Sequence, residues 1–117
     1  MRRTVLIVDD HDAFRASAAA MLEAEGFAVI GEAADSRGAI AQAERLRPQV
    51  VLLDIQLPGL DGFAVAARLA SGPDPPMVVL ISSREAAAYG PRLDAAGARG
   101  FLPKRELSGS ALAALVD

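Results

Sequence analysis

Five short apolar runs, each too short for a helix and each followed by a stretch of helical periodicity, constrain this chain more than any other feature. The runs are Thr4 to Asp9, Phe27 to Ala33, Val50 to Asp54, Met77 to Ser82 and Arg99 to Leu102. Continuous apolar runs of this length, bounded by turn signals, read as strands buried on both faces. Between them, Ala13 to Glu25 carries Phe14, Ala18, Met21 and Leu22 on one helical face, with Gly26 placed to end it. A second helix is expected from a cap at Asp35 or Ser36 to Arg47, before Pro48. Asp61 caps a short third helix holding Phe63, Val65, Ala66 and Leu69. Glu85 to Ala96 has helical character, but Gly90-Pro91 predicts a broken or shortened helix. The last helix begins near Ser108. Five β-then-α units predict an α/β fold, a parallel sheet with helices on both faces. Right-handed crossovers leave few topologies, of which the flavodoxin-like doubly wound order 2-1-3-4-5 is expected here.

That order puts the ends of the first and third strands side by side, ~5 Å apart. Asp9, Asp10 and Asp54 then crowd the carboxyl edge of the sheet, where ligands bind in open parallel folds. Three carboxylates this close repel one another unless a cation sits among them. A hard divalent cation with oxygen ligands, Mg²⁺ above all, satisfies them, with a backbone carbonyl from the Ile55-Gln56 turn and water completing the shell. Ser82 ends the fourth strand and Lys104 follows the fifth, so both are expected at the same edge. A cation site, a carboxylate, a hydroxyl and an ammonium are the parts that hold a phosphoryl group for in-line attack. Asp54 is the candidate nucleophile, forming an aspartyl-phosphate.

Composition narrows the alternatives. The 117 residues suit one domain. The chain is 52% hydrophobic but 4% aromatic, so its core is aliphatic, and with no cysteine it has neither disulfides nor thiolate metal sites. A net charge of -3, without a Lys/Arg run, argues against direct nucleic-acid binding. No segment approaches the ~18 apolar residues of a membrane span, and the apolar stretch after Arg2-Arg3 is too short for a signal core. A cytoplasmic location is expected. GxxxxGK[ST], GxGxxG and HExxH motifs are absent, and the acids needed for a calcium loop are missing around Asp54.

With these residues in place, the sequence resembles a receiver domain of the bacterial two-component response regulators over nearly its whole length. The resemblance rests on Asp9-Asp10, Asp54, Ser82 and Phe101-Leu102-Pro103-Lys104 in order at matching strand ends. VDDHDAFR and VVLLDIQLPGLDG are most similar to receivers that carry a LuxR-type helix-turn-helix output. The resemblance implies a receiver domain over residues 1–117 with no output domain within them, either a single-domain regulator or part of something longer. It implies that Asp54 accepts a phosphoryl group from a sensor histidine kinase or phosphotransfer protein. Asp10, Asp54 and the Gln56 carbonyl would ligate Mg²⁺, which Mn²⁺ could replace, and Asp9 would act through water. Lys104 would pair with Asp54 and then with phosphoryl oxygens. Ser82 would turn inward to bond one of them, Phe101 would follow, and the surface of helix four, strand five and helix five would change. Gln56 and Arg84 occupy positions that influence phosphoryl lifetime in this family. A homodimer through helices one and five, or through the fourth-helix face, would fit, as would action on an output domain or partner outside this chain.

The sequence departs from that family in three places: Arg105 rather than proline follows Lys104, Gly90-Pro91 interrupts helix four, and Phe101 has no hydroxyl. Among single residues, Asp12 reads as the cap of helix one, His11 as a solvated loop residue and Tyr89 as a packing anchor. Two rivals remain. Asp10-His11-Asp12 mimics the nucleophile motif of haloacid-dehalogenase-type phosphatases, but the later acid pair is missing and Asp54 is left unexplained. A pseudo-receiver that binds a partner without phosphorylation is the other.

Overall fold

The computed structural model describes residues 2–117, and the strands form one parallel sheet in the order β2-β1-β3-β4-β5. The elements run β1 (Thr4–Val8), α1 (Asp12–Ala24), β2 (Ala28–Ala33), α2 (Ser36–Leu46), β3 (Val50–Asp54), α3 (Gly62–Ala70), β4 (Met77–Ser82), α4 (Arg92–Ala95), β5 (Gly100–Pro103) and α5 (Gly109–Val116). This is the flavodoxin-like order expected from the sequence. Short 3₁₀ turns at Ala86–Ala88 and Lys104–Glu106 complete the chain.

The continuous apolar runs are explained by two cores, one on each side of the sheet. Along β1, Leu6 and Val8 face one core while Val5 and Ile7 face the other; Val51 and Leu53, Val50 and Leu52 divide the same way on β3. Ala39 and Ala43 of α2 and Val65, Ala66 and Leu69 of α3 close the first core. Ala18 and Leu22 of α1 and Leu112 and Val116 of α5 close the second. Alternate residues therefore meet opposite layers, and no position on a central strand can be polar until the strand ends.

The boundaries bring several corrections. β2 begins at Ala28 rather than Phe27, because Phe27 is still turning out of Gly26, whose φ is +101°. Pairing of β1 with β2 slips between Val5 and Leu6, so Ile30 is an extra residue and lies partly exposed. A bulge of this kind reverses the alternation midway, which is why β2 alternates poorly in sequence. β5 runs one residue later than expected, to Pro103. Asp12 is not the cap of α1 but its first residue; His11 stands at the cap position, and Asp12 pairs with Arg15. Of the two caps offered for α2 it is Asp35 that accepts, from Gly38 N; the expected Asp61 cap accepts from Ala64 N; and Ser108, near which the last helix was expected to begin, caps α5 by accepting from Ala111 N. The break expected at Gly90-Pro91 is present: Glu85 to Ala96 forms a 3₁₀ turn, Gly90 at φ +56° and the four residues of α4. Among the described residues no helix is long and apolar enough to cross a membrane.

Candidate functional site at the carboxyl edge of the sheet

Parallel register brings the ends of the strands level. Val8 pairs with Leu53, Asp54 with Ile81, and Ser82 with Pro103. The residue following each pairing is thrown onto one edge, where Asp9, Asp54, Ser82 and Lys104 meet. Asp9 and Ser82 are fully buried and Asp54 is 2% exposed, whereas Asp10 is open to solvent.

Lys104 holds the two buried carboxylates together. Its Nζ lies 2.5 Å from Asp9 Oδ2 and 3.2 Å from Asp54 Oδ2. The opposite oxygens are held by backbone: Asp9 Oδ1 accepts from His11 N at 2.8 Å, and Asp54 Oδ1 accepts from Gln56 N at 3.1 Å. Burial pushes the Asp54 carboxyl up from 3.8 to about 6; the Gln56 N–H and the Lys104 charge oppose this, and the Asp9 charge adds to it. Burial acts to lower the Lys104 ammonium's pKa, but its pairing with the Asp9 and Asp54 carboxylates outweighs that and raises it. The site thus keeps a cation beside two anions in a place where none is well solvated.

A carboxylate oxygen from each of Asp9, Asp10 and Asp54 and a ring nitrogen of His11 lie within 4.8 Å of one another. Asp9 Oδ2, although close to the ammonium, makes no aligned hydrogen bond, and buried oxygens of this kind ordinarily have partners. Among the described residues the Gln56 carbonyl accepts no hydrogen bond from the chain. Clustered oxygen donors of this kind suit a small hard cation. Gln56 and Arg84 are exposed on the loops after β3 and β4.

His11, expected as a solvated loop residue, is exposed and turns its Nδ1 to Asp9 Oδ1 at 3.1 Å and Asp10 Oδ1 at 3.2 Å. Three contributors were not read from sequence. Arg15 donates from Nη1 to the Asp9 carbonyl at 2.5 Å and so fastens the loop that carries the acids. Phe14 lies under the Lys104 ammonium, with its ring centre 4.7 Å away. Tyr89 places its hydroxyl 2.5 Å from Ser82 Oγ, which also accepts from Arg84 N at 3.0 Å. Phe101 is half-buried and meets the Tyr89 ring edge-on at 6.0 Å. Each depends on loop approach in three dimensions; the helical spacing of Phe14 and Arg15 from the acids was the one available signal.

The fold and site define a class of doubly wound α/β domains with buried acids and a lysine at the carboxyl edge of a five-stranded parallel sheet. Residues 5–116 match the Response regulator receiver domain family, and the chain belongs to it. The signal receiver domain of NarL from Mycobacterium tuberculosis superposes with a TM-score of 0.89 at 33% identity, covering 98% of this chain and 96% of that one. Response regulator GacA of Pseudomonas protegens is 36% identical over 101 residues, 86% of this chain and 47% of GacA. A protein-glutamate methylesterase/protein-glutamine glutaminase of Alkalilimnicola ehrlichii is 42% identical over 108 residues, 90% of this chain and 27% of the enzyme. The chain therefore spans about half or less of these curated relatives. What it shares with them is the receiver, a module of two-component phosphorelay signalling.

Proposed function

We propose that this domain accepts a phosphoryl group on Asp54 from a phosphohistidine of a sensor histidine kinase or phosphotransfer protein, and passes the change to an output domain or partner outside residues 1–117. The observation that carries this reading is the Lys104 ammonium set between the buried Asp9 and Asp54 carboxylates at the sheet edge. An oxygen of Asp54 attacks phosphorus as the phosphorus–nitrogen bond of the donor breaks. The electron pair leaves with the imidazole, which takes a proton from solvent.

Each residue has a part in that transfer. The Gln56 N–H fixes one Asp54 oxygen and leaves the other to react. Lys104 moves its charge from the carboxylates to the phosphoryl oxygens, and Ser82 supplies a hydroxyl donor. Mg²⁺ fits the oxygen donors of Asp10, Asp54 and the Gln56 carbonyl, with Asp9 acting through water; when bound it neutralises phosphoryl charge. Gln56 and Arg84, exposed beside the acids, govern how readily water reaches the phosphoryl group. Asp10, open to solvent, is poorly placed to be the nucleophile of a phosphatase, whereas Asp54 is enclosed and oriented. Intact mass after incubation with acetyl phosphate tests the proposal. A labile phosphoryl adduct is expected with Mg²⁺ and not with chelator or in Asp54→Asn; a folded protein that takes up nothing from this donor or a kinase would leave only a partner-binding role.

A further inference from the structure

His11 turns its ring towards the acids although nothing buries it. Its side chain is 67% exposed, yet Nδ1 lies 3.1 Å from Asp9 Oδ1 and 3.2 Å from Asp10 Oδ1. The His11 amide donates to the same Asp9 oxygen at 2.8 Å, which fixes the backbone beside the acids. Among the described residues Nε2 has no partner in the chain. Asp9 itself is fully buried, and its Oδ2 has no aligned hydrogen-bond donor. The ring nitrogen therefore joins the carboxylate oxygens of Asp9, Asp10 and Asp54 within 4.8 Å of one another.

The Nδ1 separations are those of ligands that share one ion. Donors about 2.1 Å from a cation stand about 3.0 Å apart along an octahedral edge and about 3.4 Å apart along a tetrahedral one. A neutral imidazole carries its proton on either nitrogen. With the proton on Nε2, in solvent, Nδ1 offers its lone pair to the space between the acids. Mg²⁺ prefers oxygen and gains little from that nitrogen, whereas imidazole suits Zn²⁺. Building on the cation site of the phosphoacceptor reading above, we propose that His11 is a ligand of that site and turns its preference from Mg²⁺ towards borderline divalent cations, Zn²⁺ above all. Asp10 and Asp54 supply the oxygens and His11 the one nitrogen.

The chain holds one histidine and no cysteine, so an imidazole ligand can only be His11. Calorimetric titration of the tag-free protein, without a phosphodonor, compares Zn²⁺ with Mg²⁺. His11→Asn keeps a residue able to cap α1. It should lose at least about tenfold in Zn²⁺ affinity, which is what losing even an outer-shell partner costs, and less than about twofold for Mg²⁺. X-ray absorption of the Zn²⁺-loaded wild type should show one imidazole in the shell. Equal losses for both cations, or an all-oxygen Zn²⁺ shell, would overturn the proposal and leave the Mg²⁺ site standing. A wild type that binds Mg²⁺ but not Zn²⁺ would overturn it as well. Failure of the phosphoacceptor reading shows separately, as absent uptake from acetyl phosphate with these affinities unchanged.

Discussion

Lys104 lies closer to Asp9 than to Asp54: its Nζ is 2.5 Å from the first carboxylate and 3.2 Å from the second. The lysine therefore occupies the place of positive charge in a cluster that also suits a metal. The proposed Mg²⁺ would draw on the same carboxylates, and any competition with the ammonium is measurable.

Lys104→Met leaves two buried carboxylates without their counter-charge. Removing one partner of a buried pair costs about 3 kcal/mol, so the metal-free variant should melt well below the wild type. Mg²⁺ should restore more of the variant's melting temperature than it adds to the wild type. Equal gains in both proteins would show that lysine and metal do not share these oxygens.

The Asp54 carboxyl, held at about 6 chiefly by burial, binds its proton more tightly in the folded protein than in the unfolded chain, where the value is 3.8. Stability rises wherever the folded state binds more protons as pH falls. This group's penalty is therefore full above pH 6, shrinks as pH falls through 6, and is gone below about 4. Without Mg²⁺, Asp54→Asn should stabilise the protein at pH 7.5 by roughly 1–3 kcal/mol. The gain should vanish by pH 4, and phosphoryl uptake by the wild type should fall below pH 6. Urea titrations at three pH values decide this; a gain independent of pH would remove charge burial as its cause.

Gly62 starts α3 directly beneath the end of β3. A Cβ there would meet the Asp54 carbonyl oxygen at 2.5 Å and Ile55 Cα at 2.6 Å, both backbone atoms that cannot swing aside. Gly62→Ala should destabilise by roughly 3 kcal/mol and slow phosphoryl uptake by displacing Asp54. Normal stability and uptake together would mean that α3 can shift without moving the acceptor.

Asp61 caps α3 by accepting from Ala64 N at 3.0 Å and also reaches Arg92 of α4. Losing the cap in Asp61→Ala should cost about 1 kcal/mol. Asp61→Asn keeps the cap and loses only an exposed ion pair, so it should cost a few tenths at most. Chemical denaturation of the two variants separates the roles; equal losses would assign the stability to the ion pair.

The strands were readable in the sequence because Val50 to Leu53 and their counterparts are buried on both faces, leaving no room for polar interruptions. The acids and Lys104 were readable because parallel register puts strand ends level. Ile30 was not, since a bulge shows only in how two strands pair. Nor were the bonds from Tyr89 to Ser82 and from Arg15 to the Asp9 carbonyl, which depend on how a helix or turn folds back on the strand end before it. Asp12 shows the limit of local rules. It has the chemistry of a cap, but Arg15 engages it one position inside the helix.

Borohydride trapping tests directly whether Asp54 is the acceptor. The protein would be phosphorylated with acetyl phosphate and Mg²⁺, reduced, digested and sequenced by tandem mass spectrometry. Reduction of an aspartyl-phosphate leaves homoserine, and the account predicts it at position 54 alone. Homoserine at position 9 or 10, with Asp54 unmodified, would contradict it.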